Sequence, residues 1–431
     1  MFHPLDPLEA ADPFEGLAEL RLECPVALLT HPAHAPMMLV TRYEDAVAVY
    51  RSTPRVGSNQ FRPADSEGPQ PELYIQDARD AMRGHVSLLS LTGAEHAAVR
   101  RVVMGAVIPR AVAAAEPAIR DICRSVAASV PSPGPVDLAT AWAATIPSKA
   151  IGHLLGFPAE DHGMFYDWTR KYTHYLALGA AGELSAEGVA DMQAVVAAFD
   201  GYVLEHIQRR RLPDAPDDAI TRMVRVNAEA ANIPDGDLVK NIVFLLMAGN
   251  QTTQSLLLNM IFHLVTSGSY ERVRAERTLV ARAIEETLRI APPIQYVVRT
   301  PDVDLPVGGL IVPAGQPIAV SNISANHDES VWGSSASTFD VERESAANHL
   351  AFATGPHACI GAALARTVAT QAMEAFMDRF ETVELVPGYE FERRSLWTSW
   401  GPTSLDVICG EATDYDPGTS REGGTLKLGL R

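Results

Sequence analysis

One stretch restricts the possible folds more than any other. Asp235 opens a run in which, from Leu238 to Ser267, apolar side chains occupy nearly every helical face. Such a helix has no face to offer water and belongs in the middle of a large domain, with other elements packed around it. Its longest unbroken apolar stretch, Ile242 to Ala248, falls well short of the roughly 20 residues that cross a bilayer. A chain of 431 residues that is 47% hydrophobic has enough apolar material to enclose such a helix.

The rest of the pattern supplies the enclosing parts. Apolar residues three to four apart predict helices around Phe14, Leu17, Leu20 and Leu22, over Thr41–Tyr50, Thr92–Val107 and Pro109–Ala128, and at about 138–155, 160–178, 186–210, 217–228 and 360–380. Short runs at Val26–Leu29, Met38–Thr41, Val297–Arg299, Leu305–Val307, Leu310–Val312 and Ile318–Ser321 predict small sheets, and Leu396–Val407 a closing hairpin. Pro131–Pro135 reads as a turn between helices. Pro54–Gly84, rich in Gly, Pro, Asp and Gln, reads as a long loop that is either functional or disordered. The expectation is a mainly α fold with small β portions, one domain over residues 1–410, and a polar, Gly-rich tail over 411–431 without fixed structure.

Composition excludes some functions. A net charge of −18 argues against general binding to nucleic acid or to anionic membranes, both of which reward basic surfaces. Cys24, Cys123, Cys359 and Cys409 stand far apart without framework spacing, which suits a reducing compartment. Met1–Glu9 has neither a basic nor an apolar leader segment, so a soluble cytoplasmic protein is expected.

The chemistry concentrates at Cys359. A loop punctuated by Gly355 and Pro356 delivers it to the start of an Ala/Leu-rich helix, where free N–H groups and the helix dipole favour a thiolate. Phe352 would cover the sulfur on one side, and Gly355 and Gly361 would let the backbone approach something flat and bulky, such as a planar metal macrocycle. Taken alone, a buried structural cysteine is the commonest reading of such a residue. A nucleophile or a zinc ligand follows, although no second Cys lies within a few residues to complete a zinc knuckle.

Phe352, Gly355, His357, Cys359 and Gly361 resemble, at matching spacing, the F-x-x-G-x-H-x-C-x-G haem-binding loop of the cytochrome P450 family. The resemblance runs from about Asp12 to Ile408. It implies a mainly helical triangular prism holding haem b (iron protoporphyrin IX) between the central helix and the Cys loop, with Cys359 on the iron and Phe352 and Gly361 beside it. A thiolate ligand pushes electron density onto iron and favours O–O cleavage, so the implied activity is monooxygenation. By the same resemblance His96, Arg100, Arg299 and His357 partner the haem propionates, while Glu286, Arg289 and Arg343 form a buried structural triad. Ala248, Gly249, Asn250, Gln251 and Thr252 resemble the family's oxygen-binding stretch. Gly249 lacks a side chain and Thr252 can bond back to a carbonyl, so the ladder is expected to open locally into a groove over the haem.

Two positions depart from the family pattern. Gln251 replaces the acid before Thr252, and an amide positions water but cannot ferry a proton. That leaves open oxidative C–C or C–N coupling without oxygen insertion, and peroxide-driven oxidation, beside ordinary oxygen insertion. Ala353 replaces a frequent second Gly and is tolerable where φ is negative. The resemblance places Asn250, Ile294, Tyr296, Val297, Trp397 and Thr398 in the substrate pocket, with the Pro54–Leu89 loop, the helices near 165–190 and Asn59 and Gln60. So few charges suit a small, largely apolar or aromatic, natural-product-like substrate. The chain carries no flavin or nicotinamide motif, so electrons are expected from a ferredoxin or flavodoxin plus its reductase, docked at Arg100, Arg101, Arg110 and Arg366. A haem-sensing protein would keep Cys359 but would need no oxygen groove at Thr252.

Overall fold

In the computed structural model, which describes residues 13–31, 34–52, 56–57, 88–89, 91–180, 185–394 and 398–411, the dominant apolar run is one continuous 32-residue helix, Asp235–Thr266. Asp235 and Asp237 in its first turn complement the positive helix end. Beyond Thr266 the chain turns through Gly268 at φ +68°, a conformation that suits glycine.

The chain begins with α1 (Phe14–Glu23), β1 (Val26–His31), β2 (His34–Val40), α2 (Tyr43–Arg51) and β3 (Val56–Gly57). A helical body follows: α3 (Gly93–Met104), α4 (Pro109–Ser129), the short strand β4 (Gly134–Asp137), α5 (Ile146–Leu155), α6 (His162–Ala180), α7 (Ala186–Arg209), α8 (Ala219–Val226) and the central helix α9 (Asp235–Thr266). After α10 (Tyr270–Ala275) and α11 (Leu279–Ile290) come β5 (Tyr296–Pro301), β6 (Leu305–Val307), β7 (Leu310–Val312) and β8 (Ile318–Ser321). The short helices α12 (Asn322–Ala325) and α13 (Glu329–Trp332), the long helix α14 (Ala362–Arg379), β9 (Val383–Leu385) and β10 (Asp406–Cys409) complete the chain.

Helix α9 packs against α5, α7, α11 and α14, and residues such as Leu238, Ile242, Leu257, Leu258 and Ile261 are wholly buried. Helices α4 and α14 form the most extensive helical contact, and α4 also packs on α5. The main sheet has the order β1-β2-β8-β5-β3 and is antiparallel except for the β2/β8 pair, where Leu39 lies beside Ala319. Gly93–Ser129 is long and apolar enough for a membrane span by length and composition. It is nevertheless two helices, α3 and α4, whose Val99, Val102, Val103, Ile119 and Val126 belong to the main core.

Three expectations are corrected. The Pro131–Pro135 turn runs into β4, which pairs with β10 across Val136 and Val407. The helix expected from 138 is a π turn over Ala139–Ala143, and α5 starts anew at Ile146. Pro147 at that start has no N–H to donate and would clash with a carbonyl one turn earlier, which ends any continuous helix there. The closing hairpin lies earlier than expected: the Arg394 N–H donates to Gly401 and the Thr403 N–H to Glu392, while Asp406–Cys409 leaves to join β4 and β9.

Candidate functional site

The loop from His349 to Gly361 is held by its own backbone. The Cys359 N–H donates to the Phe352 carbonyl at 2.9 Å, and the Ala353 N–H to Leu350 at 2.8 Å. Gly355 adopts φ +77°, and a β-carbon there would press into the Tyr50 carbonyl. Its close approach is therefore to the end of α2. Gly361 does keep open space, with only the Cys359 sulfur near its missing side chain, at 3.8 Å. Ala353 sits at φ +53°, so the condition set on this substitution is not met.

Cys359 is solvent-exposed on one side yet surrounded by protein on the others. Burial pushes its thiol up, against the Gly361 and Ala362 N–H groups and the Arg100 and Arg366 guanidinium groups, which pull it down. The helix start alone therefore does not make the thiolate that the sequence suggested. A metal cation on the sulfur would, because coordination removes the thiol proton outright.

Four basic side chains gather beside this loop. His96 and Arg100 lie one turn apart on α3. The His96 and His357 rings are 4.0 Å apart, and Arg100 donates to the Ala358 carbonyl at 2.8 Å. Arg299, on β5, lies 5.4 Å from the Tyr50 ring. Burial lowers His357 to about 4, with His96, Arg299 and Arg100 pressing it the same way. His96 is lowered too, by burial and by Arg100. The Nε2 atoms of His96 and His357 are buried with no hydrogen-bond partner. Among the described residues no carboxylate forms an ion pair with Arg100 or Arg299. Buried cations and orphaned ring nitrogens of this kind call for anionic acceptors. The two carboxylates of a haem fit that need, next to a sulfur able to bind its iron.

On α9 the Thr252 hydroxyl donates to the Ala248 carbonyl at 2.7 Å, and Ala248 is exposed in the middle of the helix, between the half-buried Met247 and Gly249. The helix stays α-helical throughout, so no local opening of the ladder occurs. Gly249 serves packing instead: a β-carbon there would meet Ile151 of α5 at 3.0 Å. Asn250 is buried, about 200° around the helix from Ala248, so it does not share that residue's exposed face. Gln251 is half-buried.

The remaining residues divide between support and pocket. Glu286 and Arg289 are wholly buried and paired at 2.7 Å, and Arg343 reaches the same carboxylate at 3.1 Å. Arg289 also donates to the carbonyls of Asn326, Ala336 and Thr338. Ile294 and Thr398 are brought together, through an Ile294–Ser399 bridge and a Gln295 N–H donated to the Thr398 carbonyl. Tyr296 is buried in the cluster of Leu17, Leu20 and Trp400, not offered to a pocket, and Val297 packs on the cluster containing Tyr50 and Val320. Trp397, Asn59, Gln60 and most of the Pro54–Leu89 loop lie outside the described residues. Arg366 is held by Glu285 through two bonds of 2.6 and 2.8 Å, and Arg100 belongs to the basic cluster. Of the four docking cations expected, Arg101 and Arg110 are the exposed ones not so engaged.

Sequence reasoning missed two contributors. Tyr50 lies under Arg299 and donates to Asn322 at 2.6 Å, and Glu285 gathers Arg366 and His349. No local pattern joins these residues, whose partners are distant in the chain.

Comparison with known proteins decides the family. A sequence model described as cytochrome P450 matches residues 186–399. The chain is 33% identical over 322 residues to the cyclomarin C epoxidase CymV of Salinispora arenicola, spanning 74% of this chain and 80% of that protein. The chain belongs to the cytochrome P450 family. To the vitamin D(3) 25-hydroxylase of Pseudonocardia autotrophica this P450 is 30% identical over 93% of its length and 94% of the relative's. The P450 PksS of the Bacillus subtilis bacillaene polyketide synthase superposes with a TM-score of 0.81 at 25% identity, covering 95% of this chain and 100% of that one. The chain is thus an oxidoreductase of the P450 monooxygenase class with haem as cofactor, acting on a small molecule with O2 and electrons from a redox partner.

Proposed function

We propose that Cys359 ligates the haem iron, that His96, Arg100, Arg299 and His357 hold the two propionates, and that Thr252 handles protons at the oxygen-binding face. Bound haem supplies one-electron redox chemistry and O2 activation. The observation that carries this reading is the convergence of four basic groups beside Cys359, two of them with buried, unpartnered nitrogens. Thr252 uses its proton on the Ala248 carbonyl, which leaves its oxygen free to accept one from a water or a bound group. Glu286, Arg289 and Arg343 tie α11 to the 326–343 segment that leads into the Cys loop. Cys359→Ser tests the iron assignment: the carbon-monoxide complex of the reduced protein should lose its thiolate-type absorbance band, and retention of that band would refute it.

The substrate is a largely apolar natural product or sterol-like molecule. Relatives named for cyclomarin C and vitamin D(3) support that class, and Ile294 and Thr398, neighbours through the Ile294–Ser399 bridge, are the residues we assign to its wall. Electrons come from a ferredoxin- or flavodoxin-type protein docked at Arg101 and Arg110, and the enzyme works in the cytoplasm. The four unpaired cysteines suit that compartment. Gln251 favours a second reading, in which the oxidising equivalent serves coupling without oxygen insertion, or peroxide replaces the reductase. Gln251→Glu should change the ratio of product to released peroxide. An unchanged ratio removes position 251 from proton delivery.

A further inference from the structure

The residue before the buried Glu286 has its own network, facing the iron-ligand loop. Both oxygens of Glu285 are bonded by the Arg366 guanidinium, at 2.6 and 2.8 Å. The His349 Nε2 lies 3.3 Å from the same carboxylate, while its Nδ1 accepts the Ala351 N–H at 3.2 Å. Arg366 covers the Phe352 ring at 4.7 Å, and the His349 ring lies 5.6 Å from it. Phe352 in turn accepts the Cys359 N–H at 2.9 Å. The contacts therefore run from Glu285 through Arg366 and Phe352 to Cys359. Arg366 is also close enough for its charge to act on the Cys359 sulfur.

We infer that Glu285 is a positioning residue for the iron ligand, which holds Arg366 over Phe352 and offsets the positive field Arg366 directs at the sulfur. The geometry separates two jobs. A bidentate carboxylate fixes the guanidinium plane, and a plane is what covers an aromatic face. The carboxylate also cancels much of the Arg366 charge, so a neutral side chain at 285 leaves a net positive charge beside the thiolate. A positive charge near the iron favours the reduced state, which carries one more electron.

This inference rests on Cys359 being the iron ligand, which Cys359→Ser tests separately. The experiment is redox titration of the haem-loaded protein, with the carbon-monoxide spectrum as the check on thiolate ligation. Glu285→Gln should favour one-electron reduction by roughly tenfold, about 59 mV for a one-electron couple, while the thiolate-type band remains. Glu285→Asp keeps the charge and should restore most of the wild-type potential, a rescue that a purely steric role would not predict. Arg366→Lys keeps the cation but cannot span Glu285 and cover Phe352 together, and it should also move the potential. If Glu285→Gln does not fold, Arg366→Lys decides alone. A wild-type potential in either folded variant, with the thiolate band intact, overturns the assignment.

Discussion

At the scale of single residues, the Cys loop carries a conformational cost at Ala353. A left-handed φ costs an L-residue roughly 1–2 kcal/mol, of which the flexibility of a glycine returns about half in the unfolded chain. Ala353→Gly is therefore expected to stabilise the protein by about 0.5–1 kcal/mol, read as a higher thermal midpoint with the absorbance spectrum unchanged. Gly355→Ala acts the other way, since it adds a left-handed φ and a clash with the Tyr50 carbonyl. It should cost more than about 2 kcal/mol and weaken haem retention. The sequence marks both positions as unusual, but neither the sign of φ at 353 nor the carbonyl facing 355 is a local property. Cys359 was legible for the opposite reason, because its neighbours from Phe352 to Gly361 lie in one short segment.

Among the elements, α11 has the most demanding electrostatics. Its Glu286 and Arg289 are sealed from water, and the carboxylate also takes Arg343 and the Asp340 N–H. Removing one member of such a set leaves buried charge without a partner, which costs about 3–5 kcal/mol. Glu286→Gln should lower the unfolding free energy by that order, read as a lower urea midpoint, whereas Arg209→Gln, at the exposed Arg209–Glu205 pair, should leave the midpoint unchanged. The helices themselves were readable because apolar spacing within one segment determines them, and the central helix differs from its expected run by a few residues. Strand pairing was not readable in the same way. Val136 and Val407 are separated in the chain by most of the helical body, and nothing near Pro135 announces that partner.

For the whole molecule, buried histidines set the response to acid. Burial lowers His263 to about 4 and His327 to about 3, with Arg289 opposing protonation of both. Both pKa values are lower in the folded protein than the ordinary 6.5. The unfolded chain therefore binds more protons below that pH, and their contribution is complete above 6.5 and is lost as the pH falls through about 4 for His263 and about 3 for His327. Glu285, held near 2 by Arg366 and His349 against its own burial, adds a second stage. Its contribution is present above the ordinary 4.5 and is lost between 4.5 and 2. Urea midpoints measured from pH 8 to pH 3 should accordingly be level at first, decline below about 6.5, and decline again below about 4.5. His263 stacks on Phe339 with centroids 5.3 Å apart, so His263→Phe preserves an aromatic ring there and removes the titrating group. That variant should lose less stability than wild type as the pH falls from 6.5 through about 4, and the two curves should run parallel only below about pH 3, where His263 is protonated in both states. Parallel curves over the upper range would mean that His263 does not contribute to the acid sensitivity of the fold.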